Sequence, residues 1–283
     1  MHFTKLQGLG NDFVLVDARE GSRDWARLAR AMCCLHFGIG ADGLLVLQTS
    51  DKADFRMSVF NPNGTEAEAC GNGLRCFVRY LSDNVVTNDT NEFSIETAAG
   101  IRHAKLIKEA GSVLIQVSMG QPEFRPTAIP VDVNISNGKM FDIMFGDYPI
   151  TVLGTQLRLH FVSMGNPHAV CFIDMPISNF PLDTIGKAVA EHKMFPHGVN
   201  FEIASILNRH KIEMRVWERG AGETLACGSG ACATAIAAQL IGLCDTSVEI
   251  VLPGGSAYVQ WNKGEEALLT GPAEPVFWGE WPE

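Results

Sequence analysis

Short apolar runs along this chain switch between two periods. Asp12–Asp17, Leu44–Leu47 and Phe55–Phe60 are dense in Val, Leu, Met and Phe and predict strands. Between the first two, Trp25, Leu28, Ala29 and Met32 recur at helical spacing behind Asp24, so a helix is expected over Asp24–His36 with Asp24 as N-cap. Asn61-Pro62-Asn63-Gly64 reads as a turn, Gly71–Leu81 as a helix, and Glu92–Thr97, Ile101–Ile107 and Ser112–Ser118 as a β meander. The second half runs in the same order. His168–Asp174 predicts a strand and Leu182–His192 a helix. Phe201–Leu207 and Lys211–Trp217 are strands, Gly228–Ile241 is an Ala-rich helix, and Val248–Leu252, Ala257–Trp261 and Glu266–Leu269 are β segments. Gln121–Tyr148, interrupted by Pro and Gly, shows no clear period.

The recurrence is literal around two cysteines. Ala69-Cys70-Gly71-Asn72-Gly73 returns as Ala226-Cys227-Gly228-Ser229-Gly230, 157 positions later (227 less 70). Laid over one another, the segments share Val59/Val216, Glu66/Glu223, Ala69/Ala226, Cys70/Cys227, Gly71/Gly228 and Gly73/Gly230, with Phe60 replaced by Trp217. Gly10-Asn11 precedes the first copy much as Gly165-Asn166 precedes the second, and Phe37–Gly40 matches Phe195–Gly198. A period this long implies two sister domains rather than a solenoid. The expected division is 1–119 and 120–271, with 272–283 packing back on the first domain.

Composition narrows the function classes. The net charge of -10 and the lack of any Lys/Arg cluster argue against a nucleic-acid or anionic-membrane surface. Apolar runs are too short to span a bilayer, and Met1-His2-Phe3-Thr4-Lys5 opens no secretory signal, so a cytoplasmic protein is expected. The eight cysteines then read as reduced thiols rather than a disulfide frame. Their spacing does not suit zinc, and no metal is expected. Cys33, Cys34, Cys76, Cys171, Cys232 and Cys244 read as packing residues.

Cys70 and Cys227 read differently. Each stands immediately before a helix, where the first amides lack intrahelical partners and the dipole favours negative charge. A thiolate is favoured there, and its pKa is expected to fall. The flanking glycines let a carboxylate approach the same amides. Two such loops facing one carbon would allow one thiolate to remove a proton and the opposite thiol to return one, inverting a stereocentre without a cofactor. The helix ends would hold the charge that spreads into the carboxylate.

Gly8-Leu9-Gly10-Asn11-Asp12-Phe13, Phe37-Gly38-Ile39-Gly40-Ala41-Asp42-Gly43, Ser163-Met164-Gly165-Asn166-Pro167-His168, Trp217-Glu218-Arg219-Gly220 and the two cysteine motifs together resemble the diaminopimelate epimerases. The likeness runs from Lys5 through the second cysteine helix. It implies an α+β fold of two pseudo-symmetric sister domains, each a β-barrel-like sheet around a central helix, with the active site in the cleft between them. It implies conversion of L,L-diaminopimelate to the meso form without pyridoxal phosphate or another cofactor, and a homodimer. By the same resemblance Cys70 and Cys227 are the acid/base thiols. Gly71, Asn72, Gly228 and Ser229 hold the reacting carboxylate. Asn11, Asn61, Asn166, Asn200 and Arg219 hold the rest of the substrate, Arg219 by gripping the distant carboxylate. Glu218 takes an ammonium group and, with His168, tunes the thiols. Some family members place a substrate-contacting Gln where this chain has Gly43.

Blander readings exist for several of these residues. Asn11, Asn61, Asn166 and Asn200 also suit turns, His168 suits a satisfied buried polar position, and Glu218 with Arg219 could form a surface ion pair. Three other functions compete. A racemase of another amino acid would not need Arg219. A thiol redox protein would keep its cysteines closer in sequence. A carboxylate-binding module would not need a thiol in both loops.

Overall fold

The computed structural model describes residues 1–67, 70–86, 90–109, 111–134 and 137–282. Ala69 of the first cysteine motif lies outside the described residues. The chain divides into two compact units, Met1–Ser118 with Thr270–Glu283, and Met119–Leu269.

The first unit contains β1 (His2–Gly8), β2 (Asn11–Asp17), α1 (Trp25–Met32), β3 (Gly43–Gln48), β4 (Phe55–Phe60), β5 (Glu66–Ala67), α2 (Gly71–Asn84), β6 (Glu92–Thr97), β7 (Gly100–Glu109) and β8 (Ser112–Ser118). The second contains the hairpin β9 (Lys139–Phe141) and β10 (Met144–Gly146), then β11 (Tyr148–Val152), β12 (Thr155–Ser163), β13 (Pro167–Phe172), α3 (Leu182–Ala190), β14 (Asn200–Asn208), β15 (Lys211–Glu218), β16 (Gly222–Thr224), α4 (Gly228–Leu240), β17 (Ser247–Leu252) and β18 (Gly255–Gln260). β19 (Leu268–Pro272) crosses the division, and β20 (Glu274–Glu280) returns to the first unit.

One pairing scheme is used twice. β1–β2 is antiparallel, β2–β3 parallel, β3–β4 antiparallel, β4–β6 parallel and β6–β7 antiparallel. In the second unit β12–β13, β13–β14, β14–β15, β15–β17 and β17–β18 repeat that alternation. A parallel step needs a crossover, and α1, α2, α3 and α4 supply the four of them. The α+β class and the internal duplication read from the sequence are the architecture observed.

The sheets explain the composition of the cysteine helices. α2 packs against β1, β2, β3, β4, β7, β8 and β20, and α4 against β12, β13, β14, β15, β17 and β18. Each is therefore wrapped by strands of its own unit. In α4 every residue from Gly230 to Ala238 is buried, which accounts for its run of Ala, Cys and Ile rather than an amphipathic stripe.

Several boundaries differ from expectation. α1 stops at Met32 rather than His36, because the amides of Ile39 and Gly40 turn back to the Met32 carbonyl at 2.8 and 3.0 Å. Gly38 closes this turn, and a Cβ there would lie 2.1 Å from the Ala31 carbonyl oxygen. Asp24 does cap the helix, accepting from the Arg27 amide at 2.9 Å. The unpatterned region after Gln121 holds the β9–β10 hairpin, and Glu123 bridges to Ser163. β1 and β20, which no apolar run announced, pair antiparallel. Met1 and Trp281 exchange two backbone hydrogen bonds of 2.8 and 2.7 Å.

His160 on β12 is buried between the rings of Phe141 and Phe172, each 5.5 Å away. Burial pushes its pKa down to about 4. The unfolded chain takes up this proton near pH 6.5 and the folded one near pH 4. Stability contributed by the neutral ring is therefore complete above that window and is lost as pH falls through it. Lowering the pH from 7 to 4 should cost about 3 kcal/mol through this residue. Urea unfolding of the wild type and of His160→Leu at both pH values checks this. The same pH sensitivity in the variant would contradict the assignment.

Candidate active site

In the first unit the site begins at the β1–β2 hairpin. Its two linking residues, Leu9 and Gly10, have φ of 58° and 82°, the double left-handed turn that suits the twist of paired strands. The turn delivers Asn11 at the start of β2. Asn11 Nδ2 donates to Asp42 Oδ2 at 2.7 Å, and this fixes which end of the amide faces the other way. Its Oδ1 accepts from Asn72 Nδ2 at 3.1 Å and lies 3.9 Å from Cys70 Sγ. Asp42 is held by reciprocal contacts with Asp12, whose carboxylate meets the nearly buried Lys5 ammonium at 2.8 Å.

Cys70 is the N-cap of α2. Its backbone is extended (φ -142°), and its sulfur accepts the Gly73 amide at 3.4 Å. The sulfur occupies the place of a capping Ser or Asp oxygen. Gly71 and Asn72 form the first two positions of the helix behind this cap. Asn61 follows β4, where its side chain donates to Thr65 Oγ1 at 2.9 Å. Gly43 is buried at the start of β3. A Cβ there would lie 3.1 Å from the Phe60 carbonyl oxygen and 3.3 Å from the Phe13 ring, so this chain has no side chain to offer at that point.

The second unit builds the same cap. Cys227 precedes α4 with φ of -125° and accepts the Gly230 amide at 3.4 Å. Ser229 Oγ lies 3.5 Å from its sulfur. Asn166 Nδ2 donates to Ser229 Oγ at 3.3 Å, which leaves Asn166 Oδ1 to accept from His168 Nε2 at 3.0 Å. Gly228 opens the helix as Gly71 does.

Next to this group, Asn200 Oδ1 accepts the Arg219 amide at 2.8 Å. The Arg219 stem lies over Gly198, where a Cβ would come within 3.1 Å of Cδ, and Nη1 donates to the His197 carbonyl at 3.0 Å. The left-handed Gly198 (φ 70°) makes this possible and accounts for the Phe-x-x-Gly element. Glu218 accepts from Thr224 Oγ1. Within the first unit the structure thus joins Asn11, Cys70 and Asn72. Within the second it joins Asn166, His168, Cys227 and Ser229, and separately Asn200 with Arg219.

One electrostatic expectation is corrected. The Cys227 pKa is raised well above that of an ordinary thiol, first by burial and then by the negative charges of Glu218 and Glu202. The contacts with Ser229 and Gly230 act in the opposite direction but do not win. Helix capping favours the thiolate, yet enclosure removes the water that would solvate it. Cys227 therefore keeps its proton in the ligand-free protein.

Sequence reading missed Asp42 and Glu202. Asp42 orients Asn11. Glu202 Oε1 lies 2.6 Å from His168 Nδ1, with both side chains fully buried. Burial pushes the Glu202 carboxyl upward, and His168 opposes that shift. A charged residue inside the apolar stretch Phe201–Ile203 was the available signal.

Comparison with known proteins places this geometry in a lineage. The family model described as diaminopimelate epimerase matches residues 3–125 and 160–276. The diaminopimelate epimerase of Moorella thermoacetica is 44% identical over 100% of this chain and 99% of its own. That of Agathobacter rectalis is 43% identical over 99% of each chain. Among solved structures, a PhzF-family phenazine biosynthesis protein of Bacillus anthracis aligns with a TM-score of 0.68 at 16% identity, covering 100% of this chain and 99% of that one. A hydroxyproline epimerase of Agrobacterium vitis aligns with a TM-score of 0.67 at 15% identity, covering 99% and 91%. The structural neighbours share the fold. The sequence relatives, matched across both cysteine loops and nearly end to end, go further: this chain belongs to the diaminopimelate epimerase family.

Proposed function

We propose that the protein converts L,L-diaminopimelate to meso-diaminopimelate by inverting one α-carbon between two thiols, without pyridoxal phosphate, and so serves lysine and peptidoglycan precursor synthesis. The observation that carries this reading is the pair of sister helices, each opened by a cysteine whose sulfur accepts the third amide.

The chemistry follows from that placement. One sulfur, as thiolate, takes the α-proton, and the electrons of the breaking C–H bond move into the adjacent carboxylate. The Gly71, Asn72, Gly228 and Ser229 amides stabilise the charge that develops there. The opposite S–H then protonates the carbon from the other face and becomes the thiolate. Which sulfur begins as donor depends on the direction of reaction, and the reverse reaction exchanges the roles. Asn11, Asn61, Asn166 and Asn200 orient the substrate. Glu218 receives an ammonium group, and Arg219 receives the distant carboxylate.

The finer assignments rest on the same features. A cytoplasmic location suits a mechanism that needs reduced thiols. No helix among the described residues is long and apolar enough to cross a membrane. Val276, Phe277 and Trp278 stand exposed along β20, an apolar row that a second copy would cover in a homodimer.

Incubation with L,L-diaminopimelate in deuterated water should place deuterium at one α-carbon. Cys70→Ala and Cys227→Ala should each lower turnover by at least about 100-fold. Full activity in either variant would remove the two-thiol mechanism. Arg219→Leu should raise KM for diaminopimelate by about 10- to 100-fold, the cost of a lost charged hydrogen bond. An unchanged KM would favour a substrate with a single carboxylate. Trp278→Glu should shift the protein from dimer to monomer in sedimentation equilibrium, whereas a monomeric wild type would exclude the dimer.

A further inference from the structure

The duplication supplies an internal control for the missed glutamate. Phe13 pairs with Gly43 across β2–β3, and His168 pairs with Asn200 across β13–β14. Leu45 pairs with Val59, and Glu202 with Val216, the same valines that match in the sequence repeat. On this register Phe13 is the counterpart of His168, and Leu45 of Glu202. Both glutamate and leucine lie under the second glycine of their cysteine loop. A Cβ on Gly73 would reach within 3.1 Å of Leu45 Cδ2, and one on Gly230 within 2.8 Å of Glu202 Oε1.

The same place in the same fold is thus filled in two ways. The first unit uses Phe13 and Leu45, 3% and 0% exposed, and packs without a polar atom. The second buries a carboxyl and an imidazole completely. That solution costs desolvation, and Glu202 Oε2 finds no hydrogen-bond partner among the described residues. Since an apolar pair suffices for packing, the polar pair answers to something else.

We propose that Glu202 is a positioning residue that fixes the hydrogen of His168 on Nε2 and thereby locks the Asn166 amide with its NH2 group toward Ser229 and Cys227. When Nδ1 accepts the Glu202 carboxyl proton, or when a doubly protonated ring donates to the carboxylate, Nε2 carries a hydrogen. Asn166 Oδ1 must accept it, since the flipped amide would set two donors against each other. Asn166 Nδ2 is then committed to Ser229 Oγ, which lies beside the Cys227 sulfur. The sister side does the reverse: Asp42 takes the NH2 of Asn11, and the Asn11 carbonyl faces Cys70. The Asn11 carbonyl thus faces Cys70 directly, whereas the Asn166 NH2 reaches the neighbourhood of Cys227 through the Ser229 hydroxyl. The titratable groups facing Glu202 are His168 from β13, Glu218 from β15 and Cys227 at the start of α4.

The inference rests on the two-thiol reading only in making Cys227 part of the site. Its test compares Glu202→Gln, Glu202→Leu and the double variant His168→Phe/Glu202→Leu, which installs the pair used by the first unit. Glu202→Gln still donates to Nδ1 and should keep kcat/KM within about threefold of wild type, while Glu202→Leu should lose at least about tenfold. The double variant should melt within a few degrees of wild type yet remain at least about tenfold impaired. The 15N shifts of the His168 ring should show hydrogen on Nε2 in the wild type and in Glu202→Gln, and mixed tautomers in Glu202→Leu. Wild-type turnover in the double variant would reduce the pair to packing and overturn the proposal. So would a loss in Glu202→Gln as deep as in Glu202→Leu, or a neutral His168 protonated on Nδ1. If the double variant does not fold, the glutamine and leucine variants and the ring shifts decide. Activity surviving Cys227→Ala would instead sink the two-thiol reading, while the ring shifts would still judge the role of Glu202.

Discussion

A sulfur atom accepting the third amide of a helix is the contact on which each half of this molecule is organised. Capping by a thiol is weaker than capping by an oxygen, and the sequence gives up Ser or Asp at both positions to have it. Glycine follows twice in each unit: once at the helix opening and once where the helix presses on the strand below. At Gly73 that strand contributes Leu45, and at Gly230 Glu202, each of which a Cβ would press at 3.1 and 2.8 Å. The sheet wrapped around each helix fixes where the sulfur stands, so the chemistry is set by the core rather than by a surface loop.

Duplication and divergence can be separated residue by residue. The asparagine after the first hairpin, the capping cysteine and the two glycines are retained in both units, along with the order of strand pairings. The supports behind them differ. An exposed aspartate, Asp42, steadies Asn11, whereas a buried histidine steadies Asn166. An enzyme acting on a chiral carbon treats two mirror-related faces, but its substrate is not symmetric about that carbon. Under the proposed two-thiol reading, unequal supports behind the two cysteines are the form such a difference would take in a duplicated fold.

Much of this was readable before any coordinates. Alternating apolar runs located most strands, because each buries at least one face. The repeat around Cys70 and Cys227 announced both units and both caps. β20 escaped notice because its partner β1 is distant in sequence and it carries Pro and Gly, and β1 because its apolar positions are broken by Thr4, Lys5 and Gln7. α1 was read too long because its apolar spacing continues past Met32, where the backbone turns back on itself. The proton affinity of Cys227 was misjudged for a clear reason: a cap is visible in sequence, but enclosure is not. Glu202 was passed over because alternation along a strand says only that a residue points inward, not what it meets there.

The pairing of β1 with β20 has a bearing on biogenesis. The first unit cannot pair β1 with β20 until residues 270–283 have been made, whereas residues 119–269 of the other unit precede them in the chain. The half bearing Cys70 is thus assembled from two stretches of chain, and the half bearing Cys227 from one.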